Sequence, residues 1–180
     1  VVVTDDDGGT GQGTATVVVN TANAPVVNAG VNNVKNEGIT ISRDLSFTDD
    51  DSTSWTATVD YGDGGGPENL PLSGKNYHLE HTYPQKGIYW ITVTVTDNDG
   101  NTGSDSAKLK VRNVTPAVTV GSPGGDEGSP VTVTGVVTDQ GDDRWTVSVD
   151  YGDGSSIQTQ VIHSNTYAFS DHRYRDEGDY

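Results

Sequence analysis

The stretch WTATVDYGDGG, residues 55–65, returns ninety positions later as WTVSVDYGDGS, residues 145–155. In the first copy Trp55, Ala57, Val59 and Tyr61 alternate with Thr56, Thr58 and Asp60. That period of two belongs to a strand with one packed face and one wet face. Asp63-Gly64 then has the composition of a two-residue hairpin turn, since Gly takes positive φ at little cost. The phrase predicts a hairpin anchored in a core by Trp55, whose indole offers a large apolar surface. A catalytic role for Asp60 or Asp63 is not expected, because no base or nucleophile stands at a meaningful spacing.

Other phrases recur at the same distance. Glu37-Gly38 returns as Glu127-Gly128, and HTYPQKGIY from His81 as HRYRDEGDY from His172. VTVTDNDGNTG from Val93 matches VVVTDDDGGTG from Val1. Offsets of 90 to 92 residues mark a domain-sized unit rather than a solenoid step of about 20–45 residues. The phase divides the chain into the last two strands of one repeat (1–22), a complete repeat (23–112), and the first part of another lacking its last two strands (113–180). Such a phase fits either a window of a longer array or a head completed by the tail of a second copy, which would give head-to-tail filaments by strand complementation.

Within the complete repeat, ITISRDLSF puts Ile39, Ile41, Leu45 and Phe47 on one face, with Arg43 interrupting. IYWITVTVTD does the same with Tyr89, Ile91, Val93 and Val95, and SAKLKV with Ala107, Leu109 and Val111. No segment sustains a helical period. About seven short strands in roughly 90 residues, separated by Gly, Pro, Asn and Asp, predict an all-β fold of tandem β-sandwiches.

Composition agrees. Of 180 residues 31% are hydrophobic and a further 23 are Gly, below the roughly 45–50% apolar residues, Gly included, of an ordinary globular domain, which suits several small domains with thin cores. The net charge of -16 opposes nucleic-acid backbone binding, which needs a basic face. No apolar run approaches the length of a membrane span. With no Cys, stability comes from something other than disulfides, and bound metal is one route.

WTATVDYGDG followed by HTYPQKGIYWITVTVTDNDG resembles the signature of the polycystic kidney disease (PKD) domain family: an aromatic-Asp-aromatic-Gly-Asp-Gly turn, then a His-Thr-Tyr strand with alternating valines. The match extends over the complete repeat and both partial ones, with Tyr61 and Tyr151 where Phe or Trp is usual. The resemblance implies immunoglobulin-like sandwiches in tandem, on an extracellular or cell-surface protein, without catalytic chemistry of their own.

The acidic loops carry the remaining chemistry. Asp49, Asp50 and Asp51 lie in one, Asp97 and Asp99 in another, Asp5, Asp6 and Asp7 in a third, and Asp139, Asp142 and Asp143 in a fourth. Hard oxygens on flexible loops suit Ca²⁺. An EF-hand is excluded, because counting from Asp97 the sixth residue is Thr102 and the twelfth is Lys108. The immunoglobulin-like topology implies that Asp49, Asp50 and Asp51 sit beside Asp97 and Asp99 at the pole where the linker arrives at Asn23, with Asp139 and Asn113 in the same relation one repeat later. These eight residues are the expected metal ligands, with Ca²⁺ fixing the angle between repeats. The competing reading is that the Asp residues simply form turns. Zn²⁺ is not expected, without Cys or a close His pair. His81 and His172 read as structural partners of Tyr83 and Tyr174. Trp90, on the outer face of its strand by parity, is the candidate contact for a ligand, against a plain cross-strand packing role.

The function these features predict is a non-enzymatic spacer, stalk or filament subunit whose partners are neighbouring repeats or copies of itself. The alternatives are an adhesion module that binds a surface glycan or protein, and accessory domains of a secreted hydrolase. Neither nucleic acid nor membrane insertion is expected for this segment.

Overall fold

The computed structural model of the protein describes residues 1–17 and 23–175; the end of the second HRYRDEGDY phrase, 176–180, lies outside the described residues. The described residues form strands and turns without helix.

Strands β1 (Val2–Thr4) and β2 (Thr10–Gln12) make an antiparallel hairpin with Val3 opposite Gly11 and Thr4 opposite Thr10. The complete repeat follows with β3 (Asn33–Asn36), β4 (Thr40–Ser46), β5 (Trp55–Asp60), β6 (Glu68–Asn69), β7 (Leu72–Ser73), β8 (Asn76–Thr82), β9 (Gly87–Asp97) and β10 (Thr102–Arg112). Its two sheets are ordered β3-β10-β9-β5-β6 and β4-β8-β7, and β3 runs parallel to β10. The first hairpin repeats the register of β9 and β10, where Val95 faces Gly103 and Thr96 faces Thr102.

The period-two reading places the core correctly. Ala57, Val59, Ile91, Val93, Val95 and Leu109 from one sheet meet Ile41, Phe47, Tyr77 and Leu79 from the other, all buried. Burying each large aliphatic side chain contributes about 1.5–3 kcal/mol, and several such residues hold a thin sandwich against its chain entropy. Ile39 departs from the expectation: it is 40% exposed, standing just before β4 rather than in the strand. Arg43 has the parity of a core residue and earns its place by donating from Nη1 to the carbonyls of Val31, at 3.1 Å, and Ala29, at 3.5 Å.

The two-residue turn expected at Asp63-Gly64 is not formed. Val59 pairs with Glu68, so the connection from the end of β5 at Asp60 to β6, residues 61–67, is a longer loop. Two aspartates build it: Asp60 Oδ1 accepts the N–H of Gly62 at 2.8 Å, and Asp63 Oδ1 that of Gly65 at 3.1 Å. Successive side-chain turns of this kind replace a tight hairpin. Gly62 has φ of 71°, and a Cβ there would stand 2.6 Å from the carbonyl oxygen of Trp90, so the loop lies directly on the neighbouring strand.

The last unit comprises β11 (Ala117–Val120), β12 (Val131–Thr138), β13 (Trp145–Val149), β14 (Gln158–Ile162) and β15 (Thr166–His172). Its sheets are β11-β12-β15 and β13-β14. Val133, Val137, Tyr151, Ile162, Tyr167 and Phe169 form its buried core cluster. Equivalent bonds recur at an offset of 90 or 91: Gly38 N–H to Tyr83 O at 2.9 Å and Gly128 N–H to Tyr174 O at 3.0 Å, Tyr83 Oη to Tyr61 O at 2.9 Å and Tyr174 Oη to Tyr151 O at 3.1 Å.

Candidate functional site

The poles of the sandwiches, where loops gather, hold the acidic residues. At the first pole the structure brings the linker and two loops together. Asp51 Oδ2 accepts the backbone N–H of Asn23 at 2.7 Å, and Asn98 Oδ1 accepts the N–H groups of Thr53 at 3.0 Å and Ser54 at 3.3 Å. Asp49 and Asp97 are buried, whereas Asp50, Asp51 and Asp99 are exposed.

The buried pair is committed to local bonds. Asp49 Oδ2 accepts the Trp55 indole N–H at 2.6 Å, and this bond leads in holding its carboxyl below the ordinary carboxylate value. Burial pushes Asp97 up, but the side-chain amide and N–H of Asn101 and the N–H of Asp99 more than offset it and hold it low. Lys75 supplies a positive charge here: its Nζ donates to the carbonyl of Asp49 and lies 5.1 Å over the Trp55 ring.

The second pole repeats this plan with a difference. Trp145 Nε1 donates to Asp139 Oδ2 at 3.4 Å, as Trp55 does to Asp49. The position of Lys75, marked by its carbonyl bond to Phe47 N–H, is occupied by Asn165, whose carbonyl takes the Val137 N–H. Asn113, expected as a ligand, accepts from Lys86 Nζ at 3.1 Å through Oδ1 and donates to Val114 O at 2.7 Å. In place of the lost lysine, this pole meets the preceding repeat. Glu37, in the turn between β3 and β4, is fully buried. Its Oε1 accepts the N–H of Val114 at 2.7 Å, and its Oε2 has no hydrogen-bond donor.

One carboxylate oxygen each from Glu37, Asp139 and Asp143 lies within 4.8 Å of the others. Among the described residues this is the one group of three acidic or histidine side chains drawn that close; the Asp49 and Asp97 pole forms no such group. No Lys or Arg of the described residues comes within 4.0 Å of these three carboxylates. Around the group the repeats touch through backbone: Asp142 N–H donates to Pro84 O at 2.9 Å, and Gln85 Nε2 donates to Asp142 O. Sequence reasoning counted neither Glu37 nor Asp143 among the ligands. The signal available was Glu37-Gly38 itself, an acid kept at one pole of both repeats.

The YGDG loops prove structural. His81 stacks on Tyr61 and bonds Asp63 Oδ2 through Nε2 at 2.8 Å; His172 stacks on Tyr151 and bonds Asp153 at 3.0 Å. Trp90 stands outward as its parity requires, 54% exposed.

This constellation, Val-Asp-Tyr-Gly-Asp-Gly at one strand end and a histidine returning to it from another, accompanies a match to the family model of the PKD domain over residues 22–111. The chain belongs to the PKD domain family. No match emerges among curated proteins. Solved structures with similar architecture include a bacterial ice-binding adhesin of 1.5 MDa, studied for host cell surface retention, at 16% identity and a TM-score of 0.34, with 83% of this chain and 55% of that one covered. A Dscam structure has 15% identity and a TM-score of 0.43, covering 88% of this chain and 41% of that one. The fibronectin(III)-like modules of Clostridium thermocellum CbhA have 15% identity and a TM-score of 0.35, covering 81% and 77%. The likeness is one of architecture: all-β sandwich modules. PKD domains are typically non-catalytic, and among the described residues no helix is long and apolar enough to cross a membrane.

Proposed function

We propose that this chain is part of an extracellular or cell-surface spacer, a tandem array of PKD sandwiches in which Ca²⁺ at the poles sets the angle between repeats. The observation that carries this reading is the contact between consecutive repeats. It is small, polar and acidic, made of backbone bonds and carboxylates rather than an apolar interface. Contacts of that kind leave domains free to move unless something else joins them. The hard oxygen donors at both poles, Asn23, Asp49, Asp51, Asp97 and Asp99 at one and Asp139 at the other, suit a calcium ion that joins linker to loop.

Among the described residues β13 pairs with β14 alone, and its other edge belongs to the same reading. Its counterpart β5 pairs with β9, Ala57 facing Val95 and Val59 facing Val93. The β1-β2 hairpin has the register of β9-β10, so a hairpin of this type, whether from the same polypeptide or a second copy, suits that edge. Small-angle scattering of the chain in calcium and in chelator tests the spacer. A longer, narrower distance distribution in calcium supports it; identical curves oppose it.

Trp90 favours a second reading, a ligand-binding module. An indole 54% exposed on the outer face of a sheet is a surface on which sugars stack. A glycan array probed with the wild-type chain and with Trp90→Ala separates the two: a ligand lost with the indole supports binding, and no ligand supports the spacer.

A further inference from the structure

We propose that Glu37, Asp139 and Asp143 form a calcium site that bridges two consecutive repeats, with Glu37 as the ligand that one repeat contributes to the other. The proposal rests on the reading that calcium organises the repeat junctions, and it moves the junction ion from the expected Asn113 and Asp139 to a carboxylate of the preceding domain.

Four observations converge on it. The three carboxylates come from two different units and approach within 4.8 Å. Like charges so placed repel one another unless a cation lies among them. Glu37 is fully buried with Oε2 unpartnered, and an idle oxygen on a buried carboxylate is costly. The protein supplies no countercharge here: no Lys or Arg of the described residues pairs with the group, and Asn165 stands where the other pole has Lys75. Finally the loop is shaped around the Glu37 carboxyl. A Cβ at Gly141 would sit 2.8 Å from its Cδ, and one at Gly38, where φ is 71°, would strike the backbone carbonyl oxygen of Gln140, so the 139–143 loop lies directly on the Glu37-Gly38 turn.

The donor set selects the ion. All three side chains offer hard oxygens, and backbone carbonyls and water complete the six to eight ligands that Ca²⁺ takes at flexible sites. Mg²⁺ demands near-ideal octahedral geometry that three carboxylates from two loops of different units do not impose. Glu127 is an internal control. It occupies the equivalent turn, with the Gly128 N–H bonded to Tyr174 O as Gly38 is to Tyr83, but it is exposed.

Trp145 makes the site measurable, since its indole bonds Asp139 and would excite a bound Tb³⁺. Terbium is titrated into the whole chain with excitation of tryptophan, then displaced by Ca²⁺. Saturable emission is expected in two parts, one that Trp145→Phe removes and that reports the bridging site, the other that Trp55→Phe removes and that reports the Asp49 pole; the variants that follow are read on the first. Glu37→Gln and, as a second variant at a half-buried loop position, Asp143→Asn each weaken both ions at least about tenfold, while Glu127→Gln matches wild type. If Asp143→Asn and a folded Glu37→Gln bind as wild type, or if all emission follows Trp55, the bridging site is overturned although calcium at the Asp49 pole remains. If neither ion binds wild type, both readings fall. If the variants behave as expected but scattering is unchanged by calcium, the site stands and the stiffening does not.

Discussion

The imidazole of His81 lies flat on the ring of Tyr61, centroids 4.2 Å apart and planes 11° from parallel, and one repeat later His172 lies on Tyr151 at 3.6 Å and 6°. Each histidine also reaches the second aspartate of its YGDG loop. The loop, the core tyrosine and the end of a distant strand are thereby closed into one unit, which explains why the whole phrase is written twice.

Replacing His81 by Ala removes the stack and the Asp63 bond together. A loss of about 1–2 kcal/mol is expected from the ring contact and one hydrogen bond. It should appear in urea unfolding of the central repeat and leave the Tyr151–His172 unit unaffected, read by tyrosine and tryptophan fluorescence in single-site variants.

The same loops predict a response to acid. Asp63 is held below its usual 3.8 first by the Gly65 N–H, against burial, and then by His81; Asp153 is lowered first by Ser155. A carboxyl lowered on folding stabilises the native state above the unfolded value and loses that contribution as pH falls through the folded one. Stability should therefore drop below about pH 4, and Asp63→Asn should flatten that acid limb. Thermal midpoints between pH 2 and 6, as a range about the unperturbed carboxylate value, provide the check.

Gly62 and Gly64 separate two kinds of glycine. Both have positive φ, 71° and 99°, but a Cβ at Gly62 strikes the Trp90 carbonyl whereas one at Gly64 meets nothing within 4 Å. Gly64→Ala should cost about 1 kcal/mol, the left-handed penalty alone. Gly62→Ala should cost clearly more, because backbone must move, and differential scanning calorimetry would rank them.

Leu79 is fully buried between the sheets of the central repeat. Leu79→Ala should cost about 2–5 kcal/mol through lost burial and a cavity, seen as the largest fall in unfolding midpoint among these variants.

What could be read along the chain was whatever local pattern controls. Alternation at Trp55–Tyr61 and Tyr89–Val95 revealed the strands and their buried faces, because the side-chain period of a strand is two wherever one face is packed. The recurrence of whole phrases revealed the tandem family, and the parity of Trp90 its exposure. The YGDG turn was misread as a tight hairpin because its form depends on side chains bonding backbone two residues on, and on Trp90, which sits on another strand.

The junction was hidden for a stronger reason. Glu37 and Asp143 are separated by a hundred residues, and nothing local marks a carboxylate that will be buried by a neighbouring domain. The repeat pattern determined that two sandwiches follow one another, since hydrophobic periodicity and turn chemistry act over a few residues. Only the tertiary structure decided that Glu37 meets Asp139 and Asp143, because charge proximity and burial depend on distance in space, which the chain order does not contain.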